Sequence, residues 1–418
     1  MPVSPHLASG QPTTLAVPPR IHWTEAGVAC SARWRSERGA PVPAKVVLAD
    51  DDMTADAAYR LACAGTGLLW RGDFHNARQL LQAMARRIDK VPDRKRRRAV
   101  GLKASVPMPG AAPNAEMAEQ FHRHRQAQAQ RARVLGMVLL ALDADYRIDL
   151  RRAPDTREAC TEAWGTPQPG AGDSVASLRD LLGLTGAHEW RVKGVEVPAL
   201  GNAPDNRIHA HYGVFSPQRG EYVALVAAAA LPVTGQLPYV ALDIGTGSGV
   251  LAAVLARRGV PRIVATDQDP RALVCARENM ARLKCSAQVQ MVQADLYPPG
   301  LASLVVCNPP WLPARPSAPI EYAIYDPDSR MLRGFLAQLA AHLVPGGEGW
   351  LILSDLAEHL GLRTRAQLLG LFADAGLLVL GRDDIRPAHP KAADTRDPLH
   401  VARAAELTSL WRLGPAAH

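Results

Sequence analysis

Closely spaced cysteine pairs are missing from this chain of 418 residues. Its six cysteines, Cys30, Cys63, Cys160, Cys275, Cys285 and Cys307, nowhere leave a two-residue gap. That spacing excludes zinc knuckles and dithiol redox motifs. Cys275, Cys285 and Cys307 lie in apolar segments, where a free thiol behaves as a small hydrophobe. The histidines also lack the spacing of a metal site. A reducing compartment and no metal are therefore expected. Long apolar runs are missing too. The longest, Tyr222 to Pro232, falls well short of the roughly 20 residues that cross a bilayer. Met1 to Arg20 is rich in Pro, Ser and Thr and has no apolar core, so no signal peptide is expected. These absences predict a cytoplasmic protein with no membrane partner.

Charge is present but unevenly placed. Residues 1–200 hold 28 Lys/Arg against 21 Asp/Glu, a balance of +7, and residues 201–418 hold 20 against 19, a balance of +1. Much of the excess lies between Arg86 and Lys103, and its densest part is Arg94, Lys95, Arg96, Arg97 and Arg98. Clustered guanidinium and ammonium groups neutralise phosphates, so this run is a candidate contact to RNA or DNA. A solvated linker is the competing reading, since no aromatic residues are interleaved for base stacking. His122 to Arg125, Arg131 and Arg133 would extend the same surface.

The length predicts two domains, placed at 1–185 and 186–418. Residues 1–50 read as loop. Ala55 to Trp70, His75 to Lys90 and a segment from Asn114 to Leu142 carry helical spacing, so the first domain is expected to be mainly helical. Trp190–Val197 and Arg207–Val214 alternate as a hairpin would. Beyond residue 238 strand and helix patterns alternate. Strands are expected near 239–244, 262–266, 287–292, 302–307, 349–354 and 377–381, with an antiparallel strand at 407–413. This is the pattern of a doubly wound, mostly parallel seven-stranded α/β sheet of Rossmann-like type.

Four motifs stand at the ends of those strands. Asp243-x-Gly245-Thr246-Gly247-x-Gly249 closes the first and opens a helix. Its glycines permit positive φ and let a ligand lie against the backbone. The G-x-G-x-G spacing differs from the dinucleotide pattern and needs no diphosphate. Asp267, followed by Gln268, ends the second strand where a carboxylate accepts from ribose hydroxyls. Asp269 is the competing acid, better placed to cap the next helix. Asp295-Leu296 follows the third strand and suits an adenine amino group, although a plain loop aspartate is the stronger reading for Asp295 alone. Asn308-Pro309-Pro310-Trp311 follows the fourth. The prolines stiffen that turn. The Asn308 side-chain oxygen and the Pro309 carbonyl can both accept from one –NH2 group, and Trp311 offers a flat face. Such a turn favours transfer of a methyl group to a planar nitrogen. That displacement depends on alignment, which alone lowers barriers by roughly 7–11 kcal/mol.

With these motifs, residues 190–380 resemble class I S-adenosylmethionine-dependent methyltransferases. The resemblance is to the Asn-Pro-Pro-aromatic branch, with its HemK-type glutamine enzymes and its "methyltransferase small" RNA guanine enzymes. It implies S-adenosylmethionine as cofactor, held at Asp243, Gly245, Thr246, Gly247, Gly249, Asp267, Gln268, Asp295, Leu296 and Asn308. It makes Asn308, Pro309, Pro310 and Trp311 the catalytic turn. Gly213-Val214-Phe215-Ser216 resembles the RNA enzymes, while Pro217 and Glu221 are closer to the glutamine enzymes, whose full Pro-Arg-Pro-Glu-Thr string is missing. The favoured acceptor is an exocyclic amine of an RNA or DNA base. A protein glutamine or a small-molecule amine is the alternative, and a protein substrate is the alternative partner. A cofactor-binding subunit without activity of its own would have no need of the Asn308 turn.

Overall fold

Seven strands form the sheet that carries the motifs. In this computed structural model residues 18–90, 115–170, 172–235, 238–316, 321, 323–387, 394–395 and 397–416 are described. The run Arg94 to Arg98 lies outside them. Strands β9 (Val240–Ile244), β10 (Arg262–Asp267), β11 (Val289–Gln293), β12 (Ala302–Cys307), β13 (Leu343–Ser354), β14 (Leu377–Ile385) and β15 (Thr408–Pro415) lie in the order β11-β10-β9-β12-β13-β15-β14. All pair in parallel except β15, which is antiparallel to both its neighbours. Each face is covered, so the central strands read as unbroken apolar runs. Ala241, Ile263, Val306 and Ile352 point into one core, and Leu242, Val305, Cys307 and Leu351 into the other.

The strand order reverses direction beside β9, the switch point where ligands bind in doubly wound sheets. Register decides what meets there. Ile244 pairs with Thr266 on one side and with Cys307 on the other, and Asp267 pairs with Gln293. Four strand ends therefore finish nearly level. With strands about 4.8 Å apart, Asp295, Asp267, Gly245 and Asn308 fall in a row roughly 15 Å wide.

The first domain differs from expectation. Beside the expected helices it holds a six-stranded mixed sheet, ordered β1-β2-β6-β5-β4-β3, that the sequence reading did not anticipate. Residues expected as loop form β1 (Arg20–Glu25), β2 (Val28–Arg35) and β3 (Lys45–Ala49). Ala26 and Gly27, both at positive φ, make the tight turn between the first two. The helix read through Ala55 to Trp70 stops early. Helix α1 (Ala55–Cys63) ends at Gly65, and β4 (Thr66–Trp70) follows, buried along its whole length. Likewise α3 (Ala115–Leu135) ends at Gly136, and β5 (Val138–Leu142) takes the rest. Short apolar runs have no period of their own to separate strand from helix. Strand β6 (Ser174–Ser177) runs directly into α5 (Leu178–Lys193), with its Ser177 hydroxyl accepting from the amide of Asp180. Helix α5 passes through position 185 and reduces the expected hairpin to β7 (Val195–Glu196) against β8 (Arg207–Ile208).

Helices α2 (Phe74–Asp89), α4 (Arg157–Trp164) and α5 cover one face of the first sheet together with the end of α3. The other half of α3 leaves that sheet. Its Phe121, 2% exposed, is buried among Leu312, Leu356, Leu360 and Leu399 of the second domain. Gln120 donates to the Pro398 carbonyl at 2.6 Å, and Arg125 to that of Arg315 at 2.7 Å. One helix thus joins the two domains. Among the described residues no helix is long and apolar enough to cross a membrane. Truncating Phe121 to Ala should cost about 3–5 kcal/mol, the usual loss for a fully buried phenylalanine. Urea unfolding measures it, and a loss below about 1 kcal/mol would show that Phe121 does not anchor α3.

Candidate active site at the strand ends

The glycine turn is held from beneath. The Asp243 side chain is buried, and one of its oxygens accepts from the Thr246 hydroxyl at 2.6 Å and from the Ala252 amide at 3.0 Å. Asp243 therefore fixes the turn and the first residues of α7 (Val250–Arg257), and it does not line the cavity above. Burial pushes its carboxyl up to about 6; its two donors act the other way, and nearby Asp267 adds to the rise. Gly245, Gly247 and Gly249 all have positive φ, at 71°, 54° and 83°. A Cβ on Gly249 would come within 3.1 Å of the Ala276 Cβ, and one on Gly245 within 2.4 Å of the Met331 methyl. Gly245, Thr246 and Gly247 line the cavity.

Asp267 closes β10 beside that turn. Its carboxylate accepts from the amides of Gly247 at 3.0 Å and Asp269 at 2.9 Å. Burial raises its pKa while these amides lower it. It faces the cavity with oxygen lone pairs to spare, as does its neighbour Gln268. Asp269 caps α8 (Pro270–Arg282) by accepting from the Arg271 amide and pairs with that residue's guanidinium at 2.9 Å, although it too borders the cavity. Asp295 and Leu296 line the same wall. Asp295 is exposed and paired with Arg330 at 2.8 Å. Leu296 is held by its carbonyl on the Thr266 hydroxyl at 2.6 Å.

Asn308, Pro309, Pro310 and Trp311 face the cavity from β12. The Trp311 indole N–H donates to the Asn308 side-chain oxygen at 2.9 Å. This bond sets the plane of both side chains and leaves that oxygen a second lone pair. Behind the turn Asp326 is buried and accepts from the amides of Met331 and Leu332, both at 3.1 Å, at the start of α9 (Arg330–Leu339). The Asn308 turn, Asp326, Gly245 to Gly247, Asp267 and Asp295 border one cavity of about 1280 Å³. That volume exceeds the ~300–1000 Å³ of ordinary ligand pockets, so it has room for a cofactor and part of an acceptor.

The rest of the wall lay outside the sequence-based site. Phe121, His124, Arg125, Gln128 and Ala129 of α3 border the cavity, as do Arg38 and Arg179 from the first domain. The α3 residues recur at i, i+3, i+4, i+7 and i+8, one face of a helix. That spacing was visible in the sequence, but it marks only a helix face and not what lies opposite. The expected basic surface on α3 is partly used up. Arg131 pairs with Asp89 at 3.0 Å and Arg123 with Glu119 at 3.7 Å, while Arg125 stacks 4.2 Å from the Tyr325 ring centre.

The positive-φ glycines and the acid beside them suit a nucleoside without phosphates. Residues 244–256, the turn and its helix, contain no Lys or Arg. The strand order, the switch-point cavity and this turn define a class I S-adenosylmethionine-dependent methyltransferase fold. Comparison with known proteins agrees. Residues 205–368 match the methyltransferase small domain. The release factor glutamine methyltransferase of Deinococcus radiodurans is 38% identical over 120 residues, covering 25% of this chain and 42% of that protein. The ribosomal protein L11 methyltransferase of Pelotomaculum thermopropionicum is 37% identical over 145 residues, covering 34% and 39%. The chain thus spans less than half the length of these relatives. A solved ribosomal protein L11 methylase from Lactobacillus delbrueckii subsp. bulgaricus overlays with a TM-score of 0.34 at 17% identity, over 52% of this chain and 90% of that one.

The raised pKa of Asp243 has a consequence for stability. Its folded value of about 6 lies above the ordinary 3.8, so the folded state holds the proton more tightly. The contribution is full below about pH 4 and lost as pH rises through about 6, a swing of roughly 3 kcal/mol at most. Asp243→Asn keeps an oxygen for Thr246 and Ala252 but cannot titrate. Urea unfolding from pH 4 to 7 should show the wild type losing stability relative to the variant. Parallel profiles would contradict the assignment.

Proposed function

We propose that this chain is an S-adenosylmethionine-dependent N-methyltransferase whose acceptor is a side-chain amide of a protein, glutamine in the first place. The observation that carries the proposal is the register of β9 and β12, which sets Asn308 directly beside the glycine turn. When bound, S-adenosylmethionine supplies a sulfonium methyl group as electrophile. Gly245, Thr246 and Gly247 would hold its methionine part, Asp267 with Gln268 its ribose, and Asp295 with Leu296 its adenine. Asp243 and Gly249 would act on the cofactor through the shape of the turn.

The chain's own work is on the acceptor. Asn308 and the Pro309 carbonyl accept from the amide –NH2, fixing its plane and turning the nitrogen toward the methyl. Trp311 covers the flat group and, through its indole N–H, holds the Asn308 oxygen in place. Pro310 stiffens the turn. No strong base is required, because the nitrogen becomes acidic as the new bond forms. A protein acceptor is supported by two relatives named for glutamine of release factors and for ribosomal protein L11. A second reading, an exocyclic amine of a nucleic-acid base, is supported by Gly213-Val214-Phe215-Ser216 and by the basic run Arg94 to Arg98.

Transfer of a radiolabelled methyl group into fractionated cell extract distinguishes the two. Label in a protease-sensitive, nuclease-resistant fraction is expected, and Asn308→Ala should lower its rate at least about 100-fold while cofactor binding persists. Label only in RNA or DNA would overturn the protein reading. An unchanged rate in the variant would remove Asn308 from the chemistry.

A further inference from the structure

Several arginines border the cavity, and most are held by a carboxylate. Arg271 pairs with Asp269 at 2.9 Å, Arg330 with Asp295 at 2.8 Å, Arg403 with Asp397 at 2.8 Å and Arg219 with Glu406 at 3.5 Å. Arg38 and Arg179 line the same cavity, yet neither has an ion-pair partner among the described residues. They lie near one another. Burial first and then the Arg38 charge lower the Arg179 pKa, while Asp180 works against both. Asp180, whose charge acts on both arginines, and Glu37, next to Arg38 in the chain, do not line the cavity. Glu37 is engaged by the indole N–H of Trp164. Two guanidinium groups thus border the open space, and neither of these acids does. Adjacent cations cost energy unless an anion joins them, and guanidinium forks suit oxyanions.

Helix α3 measures how far this pair is from the chemistry. Phe121 packs on Leu312, the residue after Trp311. Arg131, two residues past cavity-lining Ala129, is close enough to Arg179 to lower its pKa. From Phe121 to Ala129 the helix rises about 12 Å at 1.5 Å per residue. His124, Arg125 and Gln128 line the path between. An extended peptide covers about 12 Å in three to four residues. The net charge of +7 over residues 1–200 would draw an acidic segment toward this side.

We propose that Arg38 and Arg179 form an oxyanion subsite that takes an acidic side chain of the protein acceptor, three to four residues from the methylated amide. The proposal rests on the protein-acceptor reading above and adds a sequence requirement to it. Neutral segments around a glutamine are then poor acceptors.

The test uses the full chain and two fluorescein-labelled twelve-residue peptides. One has a single Gln with Glu at the third and fourth positions after it; the other has Ser at those two positions. Fluorescence anisotropy is read with and without saturating S-adenosylhomocysteine. The acidic peptide should bind at least about tenfold tighter, as expected for a charge-assisted contact. In R38Q/R179Q that preference should vanish, with the S-adenosylhomocysteine titration and unfolding midpoint unchanged. R38Q alone, a change at an exposed position, should lose part of it. Equal binding of the two peptides by the wild type overturns the subsite, as does a preference that survives in the double variant. So does displacement of the acidic peptide by a uridine dodecanucleotide at lower concentration than by unlabelled peptide, which would assign the arginines to phosphate. If S-adenosylhomocysteine itself fails to bind, the methyltransferase reading fails, and the peptide comparison without it remains readable.

Discussion

One buried carboxylate oxygen holds the centre of this molecule together. Asp243 accepts from Thr246 and Ala252 at once, so it joins the end of β9, the glycine turn and the start of α7. The turn needs that restraint. Its three glycines sit at positive φ, where the backbone gains nothing from regular secondary structure. The carboxyl is buried beyond solvent and its pKa rises, which is the energetic cost of keeping the turn in this shape. Everything the cavity does is set out from there. Asp267 takes the Gly247 amide from one side, and β12 delivers Asn308 on the other.

The second constraint is the helix shared between the domains. Helix α3 ends in the core of the first sheet, where Val134 and Leu135 are buried, yet Phe121 is buried against the second. The first domain therefore supplies part of the wall of a cavity whose floor belongs to the methyltransferase small domain. Phe121, His124, Arg125, Gln128 and Ala129 of α3 border the same space as Asn308. On the proposed function, selection of the acceptor would fall to these first-domain residues and alignment for transfer to the Asn308 turn.

The second half of the fold was legible in sequence because strand and helix patterns alternate there and each strand ends on a distinctive residue. Strand ends at Ile244, Asp267, Gln293 and Cys307 follow from apolar runs bounded by Gly, Asp and Asn. The same reasoning failed for β4 and β5. Their Leu-rich runs follow helices with only Gly65 or Gly136 between, so helical spacing ran on into them. Strands β1 to β3 were missed although Ile21 and Trp23 alternate with polar neighbours, because the Pro, Gly and charged residues around these short runs read as loop; β1 and β3 are the two edges of their sheet and β2 lies inside it. Within the site, the sequence placed Asp243 with the glycine turn but did not show how it acts there, since its two donors, Thr246 and Ala252, are internal and it does not line the cavity. Arg38 and Arg179 had no local signal, and the spacing of the α3 face showed a helix face but not what it meets, since that meaning comes from contacts between residues far apart in the chain.

The central claim is that the row of strand ends binds S-adenosylmethionine through Asp267. Isothermal titration of S-adenosylmethionine and its demethylated product into the wild type and Asp267→Ala tests it most directly. One site per chain is expected for the wild type, with affinity for both ligands weakened at least about tenfold in the variant by loss of a charged hydrogen bond to ribose. No binding to the wild type, or equal affinity in the variant, would contradict the account.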